Sequence, residues 1–128
     1  MAIRVADFEK DIQPLVNGAK KAGVSMYNPP GAVWFCGEDD GRVYSCGCIV
    51  VNDKTKAARW KSDFTLPEYR GRGTYKRMLK LKLLYCMKRQ VKKITAFVGP
   101  LNLNVLLGMG FTMVSKPKAD VFYLLKEL

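Results

Sequence analysis

The chain has 128 residues, 48% of them hydrophobic, and sets 22 Lys and Arg against 11 Asp and Glu for a net charge of +11. That length leads us to expect one domain spanning residues 1–128, with enough apolar material for a core and too much for a disordered chain. No apolar run approaches the ~20 residues that cross a bilayer, and the lack of histidine removes Ser-His-Asp and Cys-His catalysis.

The charge favours an anionic partner, either a polyphosphate cofactor or nucleic acid, though a solvated basic surface gives the same composition. Acidic residues near the start, in MAIRVADFEKD, stand where a signal peptide is apolar. A soluble cytoplasmic protein is the expectation. Cys36, Cys46, Cys48 and Cys86 lack the spacing of a zinc site, so no metal is expected and buried, reduced thiols are.

In chain order, Ile3 to Val5 reads as a short strand. Phe8, Ile12, Leu15, Val16 and Ala19 then recur at helical spacing up to Ala22, with Asp7 as N-cap and Gly23 as stop. Asn28-Pro29-Pro30-Gly31 is a turn. Val33 to Gly37 and Val43 to Val51 form a hairpin about Asp39-Asp40-Gly41-Arg42. Strict alternation puts Val43, Ser45 and Gly47 on one face and Tyr44, Cys46 and Cys48 on the other.

Ala57 to Leu66 is the third strand of this meander. Alternation places Trp60, Ser62, Phe64 and Leu66 together, opposite Lys61, Asp63 and Thr65. From Thr74 to Gln90 the period becomes helical. Met78, Leu81, Leu84 and Tyr85 make an apolar stripe, and Lys76, Lys80, Lys82, Lys88 and Arg89 fill the remainder. Ile94 to Val98 returns as a strand, so the helix is a crossover and the two strands it joins are parallel. A short helix opens at Pro100 and Asn102, and Phe111 to Val114 and Val121 to Leu125 close the chain as strands. The fold class is α+β: a mixed, mostly antiparallel sheet with flanking helices.

The segment LPEYRGRGTY, from Leu66 to Tyr75, lies between a strand and a basic helix. Glycines let its backbone turn tightly and approach a ligand, and a helix N-terminus adds unsatisfied N–H donors and partial positive charge. Together these make an anion site, to which Arg70 and Arg72 add charge-assisted contacts. Neither a P-loop nor a dinucleotide fingerprint is present.

This string resembles the pyrophosphate loop of the Gcn5-related N-acetyltransferases, the GNAT superfamily, whose signature is Q/R-x-x-G-x-G/A. Arg70 and Gly73 match it, and Tyr75 stands in its last, small-residue slot. The resemblance covers nearly the whole chain: the order of elements is similar, as are Val98-x-x-x-Asn102, Gly110-Phe111 and the closing Phe122-Tyr123-Leu124-Leu125-Lys126. It implies a sheet splayed at the cofactor site and acetyl-CoA, or another acyl-CoA, bound in the V-shaped gap. Backbone groups around Thr65 and Leu66 would meet the pantetheine, the amides of Gly71, Arg72, Gly73 and Thr74 the pyrophosphate, and Asn102 the pantetheine side. Tyr75 would narrow the pyrophosphate seat or lie beside the cofactor, and Lys76 or Arg77 would meet its 3′-phosphate. Tyr27 would line the acceptor pocket.

The implied activity is direct transfer of an acetyl group to an amine. The family's usual acid tyrosine is missing, because counting from Phe111 reaches Leu106 and counting from Asn102 reaches Met109. Tyr123 or Tyr75 are the candidate acids, with water as the alternative. Asp63 is the candidate base, the other reading being a surface carboxylate paired with Lys61 or Arg59. Two further functions stay open: a GNAT-like fold binding or modifying nucleic acid, and a non-catalytic CoA-binding module. The acceptor amine and the oligomeric state are left open by the sequence.

Overall fold

The alternating pattern of the first half folds as the expected meander. In the computed structural model, which describes residues 2–128, β1 (Ala2–Ala6), β2 (Ala32–Asp39), β3 (Arg42–Asn52) and β4 (Ala57–Thr65) pair in sequence, all antiparallel. Asp40 and Gly41 both take positive φ at the β2–β3 turn, the twist that suits a two-residue hairpin. The helix α2 (Thr74–Lys88) then crosses to β5 (Lys93–Val98), which lies parallel to β4. After α3 (Pro100–Gly108) come β6 (Thr112–Lys118) and β7 (Val121–Glu127), and β7 inserts between β5 and β6. The sheet order is β1-β2-β3-β4-β5-β7-β6.

Each face of the sheet carries its own apolar layer. On one, α2 and α3 bury Met78, Leu79, Cys86 and Leu106 against Phe35, Ile49, Trp60, Ile94 and Leu124. On the other, the segment after β1 packs Ile12, Leu15 and Ala19 on Trp34, Cys36, Cys46, Cys48 and Phe64. All four cysteines are buried and free.

Three expectations need correction. The helix predicted from Phe8 to Ala22 is three short pieces: a π turn Phe8–Ile12, a 3-10 turn Gln13–Leu15 and α1 (Val16–Lys21). Asp7 does cap it, accepting from the Lys10 N–H at 2.9 Å. Pro14 offers no N–H and its ring crowds the preceding turn, so a regular ladder cannot run through it.

Strict alternation also fails twice. A bulge in the β2–β3 pairing between Gly37 and Glu38 leaves Tyr44 as the extra residue, and Val43 joins the layer of Cys46 and Cys48. A second bulge, in β4, sets Ser62 and Asp63 opposite Gly47, with Ser62 at φ 59°. Trp60 and Phe64 therefore belong to opposite layers. Asp63 takes the α2 face, the same side as Trp60.

The apolar stripe of α2 is rotated from the predicted one. Thr74, Met78, Leu79, Lys82 and Cys86 are buried, while Leu84 is exposed. Lys82, expected on the outer face, is inside.

Candidate functional site

Strands β4 and β5 are paired only from Ala57↔Lys93 to Trp60↔Ala96. Beyond Trp60, β4 runs on to Thr65 bonded to β3, and beyond Ala96, β5 runs on to Val98 bonded to β7. The two strands thus part company in mid-sheet. They are parallel, so both C-terminal ends, and the N-termini of α2 and α3 that follow them, flank the same gap.

The loop from β4 to α2 closes one side of it. Leu66 donates its N–H to Tyr44 O at 2.8 Å, so that donor belongs to β3. Thr65 faces the gap with both backbone groups, and its carbonyl accepts from Arg70 Nε at 3.0 Å. A 3-10 turn, Pro67–Tyr69, follows. Tyr69 stacks on Tyr44 with centroids 4.4 Å apart and lies under the Arg72 guanidinium at 5.0 Å, and Arg42 holds Glu68 at 3.1 Å. Gly71 and Gly73 sit at φ 79° and 77°, and a Cβ on either would meet nothing within 4 Å. The loop therefore presents bare backbone to solvent. Gly73 is the N-cap of α2 and has no side chain with which to satisfy the first-turn donors. This is the arrangement expected of an anion seat.

Asn102 lies in the first turn of α3, donating its N–H to Gly99 O at 3.3 Å, and is partly buried. Between α2 and α3 runs a groove of about 350 Å³ lined by Lys76, Lys80, Asn104, Val105, Gly108 and Met109. Tyr75 does not narrow the loop. Its ring turns inward against the α2–α3 layer, and its buried hydroxyl has no hydrogen-bond partner. Burial pushes that phenol well above its ordinary range, with the Asp63 charge adding to the effect.

The structure puts Tyr123 and Asp63 on opposite faces of the sheet. Asp63 lies on the α2 face, where Lys82 Nζ approaches its Oδ1 at 2.6 Å; this, and not Lys61 or Arg59, is its partner. Burial pushes the Asp63 carboxyl upward, and Lys82 pulls it back through charge and hydrogen bond. Tyr123 is on the opposite face, across from Phe97 with ring centroids 4.7 Å apart. Phe97 is the first β5 residue past the pairing with β4, so Tyr123 stands one strand from the vertex of the gap.

Tyr27 lies on that second face too, in the segment between α1 and β2. The segment is tied to the sheet by Ser62 Oγ donating to Ser25 O at 2.8 Å and Trp34 Nε1 donating to Asn28 Oδ1 at 3.0 Å. The thiols nearby are inert: burial, above all, raises Cys46 to about 12 and Cys48 to about 11.

Sequence reasoning missed Lys82 and Gly47. A Cβ on Gly47 would fall 2.5 Å from Asp63 Oδ1 and 2.8 Å from Lys82 Cε, so the glycine makes room for the ion pair. The four-residue spacing Thr74, Met78, Lys82, Cys86 was the available signal. Among the described residues no cluster of three or more metal-ligating side chains occurs, and no helix is long and apolar enough to cross a membrane.

No family model and no curated protein matches the chain. Its fold matches solved structures over its full length. An IAA acetyltransferase from Bacillus cereus superposes with a TM-score of 0.77 at 14% identity, covering 99% of both chains. A spermidine N-acetyltransferase variant from Vibrio cholerae gives 0.76 at 14% identity, with 99% of this chain and 95% of that one covered. A GNAT family acetyltransferase from Elizabethkingia anophelis, solved with acetyl-CoA bound, gives 0.73 at 13% identity over 99% and 97%. The mixed, splayed sheet is the GNAT fold.

Proposed function

We propose that the protein is an acyl-CoA-dependent N-acyltransferase of the GNAT superfamily, moving an acetyl group from acetyl-CoA to an amine. The observation that carries this reading is the parting of β4 and β5 after Trp60↔Ala96, with the glycine-lined start of α2 on one side of the gap and the start of α3 on the other. The fold is shared with acetyltransferases, one of them holding acetyl-CoA.

The residues present fit the cofactor. The backbone of Gly71, Arg72, Gly73 and Thr74 takes the pyrophosphate, with Arg70 and Arg72 close by. Thr65 offers the gap-facing backbone for the pantetheine, whereas both backbone groups of Leu66 are engaged, its N–H with Tyr44 O and its carbonyl with the Tyr69 N–H at 2.9 Å. Asn102 borders the arm from α3. The groove between the helices suits the adenosine end, with Lys76 and Lys80 facing its phosphate and Arg77 exposed beside them.

The bound thioester supplies an activated acyl group, and the chain positions the amine. Tyr27 and the bulged part of β4 shape the acceptor side. Tyr123, on the same face, is the residue we assign to protonating the leaving sulfur. Asp63 was the candidate base; closed in its ion pair on the other face, we assign it to holding the bulge, and water takes the amine proton. Calorimetric titration with acetyl-CoA tests the cofactor half, and thiol release across an amine panel tests the transfer. A folded protein that shows no heat with acetyl-CoA at high micromolar concentration overturns the proposal.

A second reading is favoured by the outer face of α2, where Lys76, Arg77, Lys80 and Lys88 are all exposed. Here the same fold contacts nucleic acid, as cofactor-dependent modifier or as binder without catalysis. Binding should then weaken steeply with salt. No retention of duplex or single strands at low salt removes this reading.

A further inference from the structure

Lys61 is the first residue of β4 beyond the last pair with β5, so it stands at the vertex of the gap. Its neighbour across the ladder is Cys48, which belongs to the α1-side layer, so Lys61 also points to that side. The side chain lies in an unusual way. A lysine normally lays its stem on apolar surface and keeps its ammonium in water. Here the residue as a whole is partly exposed, yet Nζ is buried and has no hydrogen-bond partner. It rests 3.3 Å from the centre of the Tyr27 ring, which is itself 52% exposed.

The ring face satisfies the charge in part. It does not satisfy three N–H donors. The Asp63 carboxylate, two residues along, faces the other layer and is occupied by Lys82. The Lys61 ammonium is thus a cation kept dry beneath one half-exposed ring, beside the place where the gap opens.

We propose that Lys61 binds a carboxylate carried by the acceptor, so that the substrate class is amines bearing a carboxyl group, such as amino acids, rather than polyamines. This inference rests on the acyltransferase reading. The Tyr27 ring covers the ammonium in the free protein and yields it to the incoming carboxylate, whose charge-assisted bonds replace the ring contact. A polyamine at the same place would meet a like charge, which disfavours it.

The test uses the full chain and two readouts. In the first, acetyl-CoA turnover is followed by thiol release with glycine and glutamate, with their amides, and with spermidine. In the second, which needs no turnover, calorimetry compares N-acetylglycine with N-acetylglycinamide in the presence of CoA. We expect the carboxylate form to be preferred by about ten- to a hundredfold, the range of a charge-assisted hydrogen bond. Lys61→Met keeps the stem and should erase the preference. Lys61→Glu should turn it toward spermidine, with circular dichroism confirming both folds. Equal binding of acid and amide to the wild type, or a preference that survives in Lys61→Met, overturns the inference even if acetyl-CoA binds. So does an acetyl group found on Lys61 itself by mass spectrometry. Loss of acetyl-CoA binding in the wild type would instead strike the acyltransferase reading, and the product-binding comparison would still decide the role of Lys61.

Discussion

Lys82 Nζ and Asp63 Oδ1 lie 2.6 Å apart with the lysine side chain 0% and the aspartate 15% exposed. A charge so deeply placed is tolerated only with its partner, and removing one leaves the other buried and uncompensated. The pair spans the α2–sheet interface directly over Gly47 and next to the Trp60 ring, whose centre is 5.5 Å from Nζ. It pins α2 to the bulge of β4, so it couples the helix that would seat the pyrophosphate to the strand where the acyl group would arrive.

Breaking that pair from either side should therefore be expensive. Lys82→Met and Asp63→Leu are each expected to lose about 3–5 kcal/mol in urea denaturation. The double variant, which removes both charges, should lose far less than the sum of the two. Additive losses would show that the two groups are not coupled.

Acid should loosen the other end of the sheet. Arg4 holds Asp11 at 2.9 Å, and its hydrogen bond, helped by the Asp7 N–H, lowers that carboxyl from 3.8 to about 2. A lowered carboxyl stabilises the fold above its unfolded value, and that stability is lost as pH falls through the folded value. For Asp11 the window runs from about pH 4 down to about pH 2. Melting temperatures across that range should fall more steeply in the wild type than in Asp11→Asn. An Asp11→Asn curve parallel to the wild type would contradict the assignment.

The order of strands and helices was legible from period changes and turn residues, because Asn28-Pro29-Pro30-Gly31, Asp40-Gly41 and Arg70-Gly71-Arg72-Gly73 carry backbone requirements of their own. The position of the anion loop was legible for the same reason. Which face each side chain takes was not. Alternation counts residues, and a bulge adds one without any glycine or proline to announce it: Ser62 takes φ 59° because Ser25 and the Gly47 opposite fit it there. Lys82 was hidden differently. A lysine on a basic helix reads as solvated until the one carboxylate that can hold it inside has been placed, and that placement depends on the bulge.

Tyr123 is the tyrosine on the acceptor-side face nearest the vertex by strand order, and its hydroxyl is the group assigned to protonate the departing thiolate. Removing a general acid reduces the chemical step by about 10²–10⁴. Tyr123→Phe should lower kcat by that order with little change in KM for acetyl-CoA. A variant within a few-fold of wild type would hand the role to water.

Arg70 is anchored in the loop itself, with Nε on Thr65 O and its guanidinium 6.0 Å from the Phe64 ring centre. Lys93 begins β5 at the paired end of the strands, opposite Ala57 and away from the gap. Arg70→Glu should weaken acetyl-CoA binding by about tenfold or more, since it turns an attraction into a repulsion at short range. Lys93→Glu, a change of equal charge, should have little effect. Equal losses in calorimetry would mean that only the overall charge of the protein attracts the cofactor.

Gly73 allows backbone strain and ligand contact to be measured apart. Its φ is 77°, and a Cβ there would touch nothing within 4 Å, so alanine meets no steric clash in the free protein. What remains is the left-handed backbone, which costs a non-glycine residue about 1–2 kcal/mol. Gly23, after α1, has φ 79° and the same open surroundings, but lies outside the loop. Gly23→Ala and Gly73→Ala should thus lose similar stability in urea. Only Gly73→Ala should also weaken acetyl-CoA, because its methyl occupies the space through which a pyrophosphate would reach the first-turn amides of α2. If both variants bind acetyl-CoA as the wild type does, the start of α2 is not the seat of the anion.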